Sequence, residues 1–247
     1  MDAFATHCQR WESCPALLSL AIQQDRPMTK RGAEASGTSR TDVTISVGST
    51  SLPGMLTLPK GGSSVVVFAH GSGSSRLSPR NRFVADMLHD SGFGTLLFDL
   101  LTPSEDETYD NRFDIDLLAR RLAGASDWLL RQKGAKVVKM AYFGASTGAA
   151  AALQASVGRP EVKAIVSRGG RPDLAWDYLD KVVAPTLLIV GGFDDEVIEL
   201  NRRALAKLKV SEKQLTIVPG ATHLFEEPGR LEMAARAATD WFVKYAR

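Results

Sequence analysis

Cysteine is nearly absent from this chain of 247 residues: Cys8 and Cys14 are the only two, and both precede the part with regular patterning. A disulfide between them would close a tiny loop and staple no core, and no Cys/His spacing suggests a metal site. A reducing, cytoplasmic setting is the expectation. Net charge is also scarce, since 30 Lys and Arg against 28 Asp and Glu leave +2. The one dense basic pair of the first third, Lys30-Arg31, sits beside glycine and serine. Without a concentrated basic stripe, a nucleic-acid binder is excluded. The apolar run Pro15–Ile22 is too short to span a bilayer. Glu12 before it and Gln23-Gln24-Asp25 after it do not suit a secretory leader. No Gly-x-Gly-x-x-Gly opens a helix after a strand. Gly71-Ser-Gly-Ser-Ser-Arg76 has arginine where the third glycine would pack, which removes a Rossmann nucleotide site. Neither a metal nor an organic cofactor is implied.

What is present is an ordinary globular composition, 44% apolar and 23% charged, enough for one domain with a large core. Residues 1–38 lack a sustained period, and Thr29–Arg40 has the composition of a polar linker. The first 38 residues therefore read as a poorly structured or loosely attached extension, with Met28 as a second candidate start. Residues 39–247 read as the domain. Val43–Val47 alternates as a half-exposed strand does, and Leu52–Leu58 comes after a turn and pairs with it. Continuous apolar runs come next: Val65–Ala69, Thr95–Phe98, Val137–Phe143, Ala164–Val166, Thr186–Val190 and Leu215–Val218. Such runs suit strands buried on both faces. Amphipathic helices are expected between them over Arg80–Asp90, Asp114–Gln132, Glu196–Leu208 and Arg230–Tyr245. The sum is a doubly wound, mainly parallel sheet of about eight strands with helices on both faces. Ligands then bind beyond the carboxyl ends of the strands.

Three strand exits carry complementary chemistry. After Val137–Phe143 comes Gly144-Ala-Ser-Thr-Gly148 and then a small-residue helix. That strand–turn–helix context suits an exposed nucleophile, Ser146, at a helix N-terminus. The competing reading is a glycine-rich turn with a capping serine. A serine hydroxyl needs a base, and of His7, His70, His89 and His223 only the last comes after Ser146. The carboxylate belongs between them, where Gly191-Gly-Phe-Asp-Asp-Glu offers Asp194 and Asp195. Asp194 is preferred as the partner of His223, because Asp195 suits the first turn of a helix. After Val65–Ala69, the turn from His70 can aim the Ser72 amide at a carbonyl oxygen. With the amide of Thr147 it would form an oxyanion hole. His70 itself reads as packing or hydrogen bonding at the strand end.

From Asp42 onward the chain resembles the dienelactone hydrolase-like branch of the α/β-hydrolase superfamily. The resemblance rests on His70–Arg80, Gly144–Gly148, Gly191-x-x-Asp194-x-x-Val197 and Gly220-Ala-x-His-x-Phe225. It implies the α/β-hydrolase fold without a large cap domain, and it favours Asp194 independently. The namesake enzymes use a cysteine nucleophile, whereas position 146 here is serine. A general ester or lactone hydrolase is therefore expected, acting through an acyl-enzyme on a small molecule.

Substrate contacts are sought in loops at the same edge. Arg76 and Arg80 come after the oxyanion turn, and Arg168 comes after the strand Ala164–Val166. Arginine there can take an anionic group bidentately, or it can pair with Asp99 or Asp173 to hold loops together. The acidic stretch Pro103–Asn111 can line an entrance with Tyr109 as a contact, though acidic loops are usually only solvated. Rival functions on the same residues are transfer of the acyl group to another acceptor, perhydrolysis, and non-catalytic binding.

Overall fold

The computed structural model describes residues 38–59, 64–132 and 139–247. The expected N-terminal extension, with both cysteines, lies outside the described residues apart from Thr38. So do Val137 and Val138 of the strand expected from 137.

Eight strands form one sheet in the order β1-β2-β4-β3-β5-β6-β7-β8. Strands β1 (Thr38–Val47) and β2 (Thr50–Pro59) form a hairpin, and β2 runs antiparallel to β4 (Gly94–Phe98). The others, β3 (Ser64–Ala69), β5 (Lys139–Ala145), β6 (Val162–Arg168), β7 (Thr186–Gly191) and β8 (Lys213–Val218), run parallel to their neighbours. This is the mainly parallel sheet of about eight strands expected from the apolar runs.

Alternation within the central strands divides the core. Val65 and Val67 of β3 and Met140 and Tyr142 of β5 enter one layer, with α3 (Ile115–Leu130) and α4 (Thr147–Ser156). Val66, Phe68, Ala141 and Phe143 enter the other, with α1 (Pro79–Asp90) and α6 (Arg230–Tyr245). A strand buried on both faces has no room for a polar alternate, which is why these runs are continuously apolar. Tyr142 is the exception. Its hydroxyl is satisfied by Ser126 Oγ at 2.8 Å, and burial pushes its pKa up to about 12.

Helix α5 (Asp195–Lys207) comes after β7. Between β6 and β7 the span Pro172–Lys181 holds short 3₁₀ turns broken at Ala175, so among the described residues no large cap covers the strand ends. The acidic stretch after β4 is more ordered than expected. It forms α2 (Pro103–Asp106) and a 3₁₀ turn, Tyr109–Arg112. Thr102 and Glu105 close a reciprocal capping box there, and Pro103 sits at the helix start, where its missing N–H costs nothing.

Candidate active site

At the exit of β5 the chain turns into α4 at Ser146, whose backbone has φ +50° and ψ −121°. A side-chain-bearing residue held there is strained, and its neighbours fix it. The Ser146 amide donates to the Arg168 carbonyl at 3.2 Å, and its own carbonyl accepts from Ala149 and Arg171. Every other residue from Met140 to Leu153 is buried, while Ser146 is partly exposed. Its hydroxyl makes no capping bond to α4, although serine at a helix start ordinarily does. The hydroxyl is thus left for other work.

The flanking glycines are required by close approach. A Cβ on Gly144 would lie 2.4 Å from Ala149 Cα, and one on Gly148 would lie 2.2 Å from the Ala69 carbonyl oxygen. Both neighbours are backbone and cannot swing away. Gly148→Ala is therefore expected to destabilise the fold by about 2–4 kcal/mol through overpacking. In thermal unfolding that corresponds to a drop of about 5–15 °C, and an unchanged midpoint would refute the account.

His223 lies in the loop after β8. Its Nδ1 is 2.6 Å from Asp194 Oδ2, with Asp194 as the half-in residue before α5. Asp195 is exposed in the first turn of that helix. The two loops are laced together: the Phe193 amide donates to the Ala221 carbonyl at 2.9 Å. A Cβ on Gly191 would meet the Ala221 and Thr222 oxygens at 2.5 Å. Gly169 packs under the His223 ring, its Cβ position 3.5 Å from Cε1. Gly169 directly succeeds Arg168, which holds the Ser146 amide, so one short segment meets both residues. Among the described residues no hydrogen bond joins Ser146 Oγ to His223.

The turn after β3 closes the third side. A Cβ on Gly71 would stand 3.0 Å from Ser146 Cβ, so the turn's backbone rests against the serine. The Ser72 amide donates to Thr147 Oγ1 at 3.0 Å and is thereby occupied. The Thr147 amide begins α4, where the first N–H groups have no partner within the helix. A narrow cleft beside these groups is lined by Leu100, Leu101, Leu118, Asp106 and Arg112.

His70 anchors the turn. Its Nδ1–H donates to the Gly71 carbonyl, and its Nε2 accepts from the Leu100 amide, each at 3.0 Å. Burial pushes its pKa below the usual value, against the opposing pull of the Gly71 carbonyl, Asp99 and Asp106. His89 is shifted down for the same main reason. In the unfolded chain each takes up a proton near pH 6.5 that the folded protein binds only at lower pH. Stability is therefore full above that value and falls as pH drops below it, by at most about 1.4 kcal/mol per pH unit per histidine. Denaturant unfolding between pH 7 and 5 should show this slope, and His70→Gln should reduce it by up to about one proton. An unchanged slope in that variant would remove His70 from the account.

The dienelactone hydrolase family model matches residues 52–245. The chain belongs to the dienelactone hydrolase family. A crystal structure of a dienelactone hydrolase from Anabaena variabilis is 54% identical, with a TM-score of 0.82 over 85% of this chain and 99% of that one. Est1E of Butyrivibrio proteoclasticus shares the fold at 16% identity and a TM-score of 0.71, over 82% of this chain and 98% of that one. A Mycobacterium tuberculosis (strain H37Rv) protein provisionally named as a phosphoribosyl transferase is 57% identical over 205 residues, 83% of this chain and 46% of that protein. The chain thus spans about half the length of that relative.

In this dienelactone hydrolase-family chain the residues sought as substrate contacts have other surroundings. Arg76 is held by Asp99, its Nη1 2.5 Å from Oδ2 and its amide 2.6 Å from Oδ1, which is the loop-holding alternative. Arg80 pairs with Glu226 at 2.8 Å. Tyr109 is 66% exposed and leans on Phe113 in a surface dish with Asp110 and Asp114, not in the cleft beside Thr147. Arg168 pairs with neither Asp99 nor Asp173. Only 7% exposed, it lies under the Phe225 ring and reaches Asn81 Oδ1 at 3.5 Å. Desolvation, with Arg80 nearby, lowers its pKa to about 10.

Arg112 escaped the sequence reading. It grips Asp106 through Nε and Nη2 and lines the cleft wall. Among the described residues no metal-holding group of three or more His, Cys, Asp or Glu occurs, and no helix is long and apolar enough to cross a membrane.

Proposed function

We propose that the protein is a serine hydrolase that cleaves a carboxylic ester or lactone of a small molecule through an acyl-enzyme. Ser146 Oγ attacks the carbonyl while His223 takes its proton and returns it to the leaving oxygen. Asp194 holds the imidazole by Nδ1, leaving Nε2 to act, and stabilises the imidazolium without accepting its proton. Water then repeats the sequence on the acyl-enzyme. The amides of Thr147 and Ser72 receive the oxyanion, which displaces the Thr147 hydroxyl from Ser72. The observation that carries this reading is Ser146 itself. It is strained and partly exposed, its hydroxyl makes no cap, and it shares the segment Arg168-Gly169 with a histidine already paired to a carboxylate.

The cleft beside the oxyanion donors is walled by Leu100, Leu101 and Leu118 but measures only about 10 Å³, room for about one water. A substrate's acyl group therefore lies over its apolar mouth on the open surface rather than inside it. The test is a fluorophosphonate probe followed by peptide mass analysis, alongside hydrolysis of short p-nitrophenyl esters and lactones. A mass adduct on the Ser146 peptide with turnover of either substrate class is expected. Folded protein that takes no label and turns over neither class would overturn the proposal.

A further inference from the structure

A second cleft lies away from the site described above, between the antiparallel end of the sheet and α1. Its floor is built by cross-strand pairing. Arg40 of β1 stands opposite Thr57 of β2, Thr57 opposite Thr95 of β4, and Met55 opposite Leu97. Its wall is one face of α1, formed by Arg82, Ala85, Asp86 and His89, whose spacing places them on one side of a helix. The cavity measures about 140 Å³, close to the ~150 Å³ of an engineered apolar cavity that holds one benzene ring.

Its chemistry is directional. Met55 and Leu97 of the floor and Ala85 of the wall give the cleft a buried apolar patch. His89 Nε2 and Thr95 Oγ1, 2.8 Å apart, add a fixed polar pair. At the rim are two guanidinium groups, Arg40 and Arg82, against one lining carboxylate, Asp86. Asp86 is 3.7 Å from His89 Nδ1. Among the described residues neither arginine pairs with an acid. Arg40 Nη2 points inward at Met55 Sδ, 2.8 Å away, and a thioether is a weak acceptor that leaves most of the guanidinium's capacity unused. A mixed pocket, with a small apolar patch beside convergent polar groups and planar cations at its mouth, suits a small amphipathic ligand with one apolar and one charged end. The planar cation in turn matches a carboxylate.

We propose that this cleft is a second ligand site, taking a small carboxylate whose body is a single ring or a branched chain. The carboxylate sits between Arg40 and Arg82, and the apolar body rests on Met55 and Leu97. Inorganic anions lack the body to use that floor. The inference stands apart from the hydrolase reading, because none of these residues touches Ser146, Asp194 or His223.

The test is an amide NMR titration of the full-length protein with benzoate, using benzamide and acetate as the uncharged and ring-less controls. Saturable shifts at Arg82, Ala85, His89 and Thr95 are expected, with both controls weaker. In the Arg40→Ala/Arg82→Ala variant the benzoate affinity should fall by about tenfold, as for loss of a charge-assisted contact. Both side chains are exposed, and circular dichroism checks that the variant stays folded. The proposal is overturned if benzoate shifts only residues around Ser72 and Ser146, if no saturation occurs, or if the double variant binds as the parent does.

Discussion

Ser146→Ala is expected to lower kcat on an activated ester by about 10⁴–10⁶-fold and to abolish fluorophosphonate labelling. Its stability should stay within about 0.5 kcal/mol of the parent, as for a substitution that removes no stabilising contact. A serine whose task was to cap α4 would cost about 1 kcal/mol when replaced by alanine. The Ser146 side chain makes no cap bond, so its removal forfeits none. The strain at φ +50° is borne by alanine as well as by serine, because both carry a Cβ. A residual rate above that of water is expected, since the oxyanion donors and the binding cleft remain. A variant that keeps its label would sink the nucleophile assignment. One that loses about 1 kcal/mol but keeps its turnover would return Ser146 to a capping role.

The strands and the order of chemistry along the chain are legible in the sequence because they are local. Apolar runs at Val65–Ala69 and Thr186–Val190 mark strands buried on both faces, and the observed β3 and β7 each lie within one residue of those bounds. Ser146, Asp194 and His223 each stand just past the end of a strand, and finding them there needs no knowledge of side-chain direction. Pairing across the sheet is harder. Ser72 and Thr147 are far apart in sequence, and nothing local says that the threonine hydroxyl takes the serine amide. Arg76 reads from the sequence either as a substrate contact or as a partner of Asp99, and it takes the fold to bring Asp99 to it from the next strand exit. Arg168 reads as lying near the mouth because it ends β6. The side chain of a strand residue must choose a face, and this one enters the α1–α6 side under Phe225. The missed turn at 103–112 does carry a signal. Thr102-Pro-Ser-Glu105 is a capping box with proline in first place, and it outweighs an acidic composition. That signal is enough to place Arg112 on an ordered wall.

Asp194→Asn should reduce kcat by about 10³–10⁴-fold, whereas Asp195→Asn should leave it within about threefold. The two carboxylates are adjacent in sequence but do different things. Asp194 Oδ2 is 2.6 Å from His223 Nδ1 and makes no capping bond to α5. Asp195 is exposed in the first turn of that helix, where a negative charge complements the dipole and is worth about 0.3–1 kcal/mol. In the Asp194→Asn variant the new side-chain NH₂ can donate to Nδ1, which favours the tautomer with the proton on Nε2. That tautomer cannot accept the Ser146 proton, so the loss falls on kcat while the geometry is kept. The split between the variants therefore has two readouts. Steady-state kinetics should single out position 194. Thermal unfolding should show the small loss of helix stability at 195. Equal kinetic losses at both positions would mean that the tandem acts as one unit, and loss at 195 alone would move the orienting role by one residue.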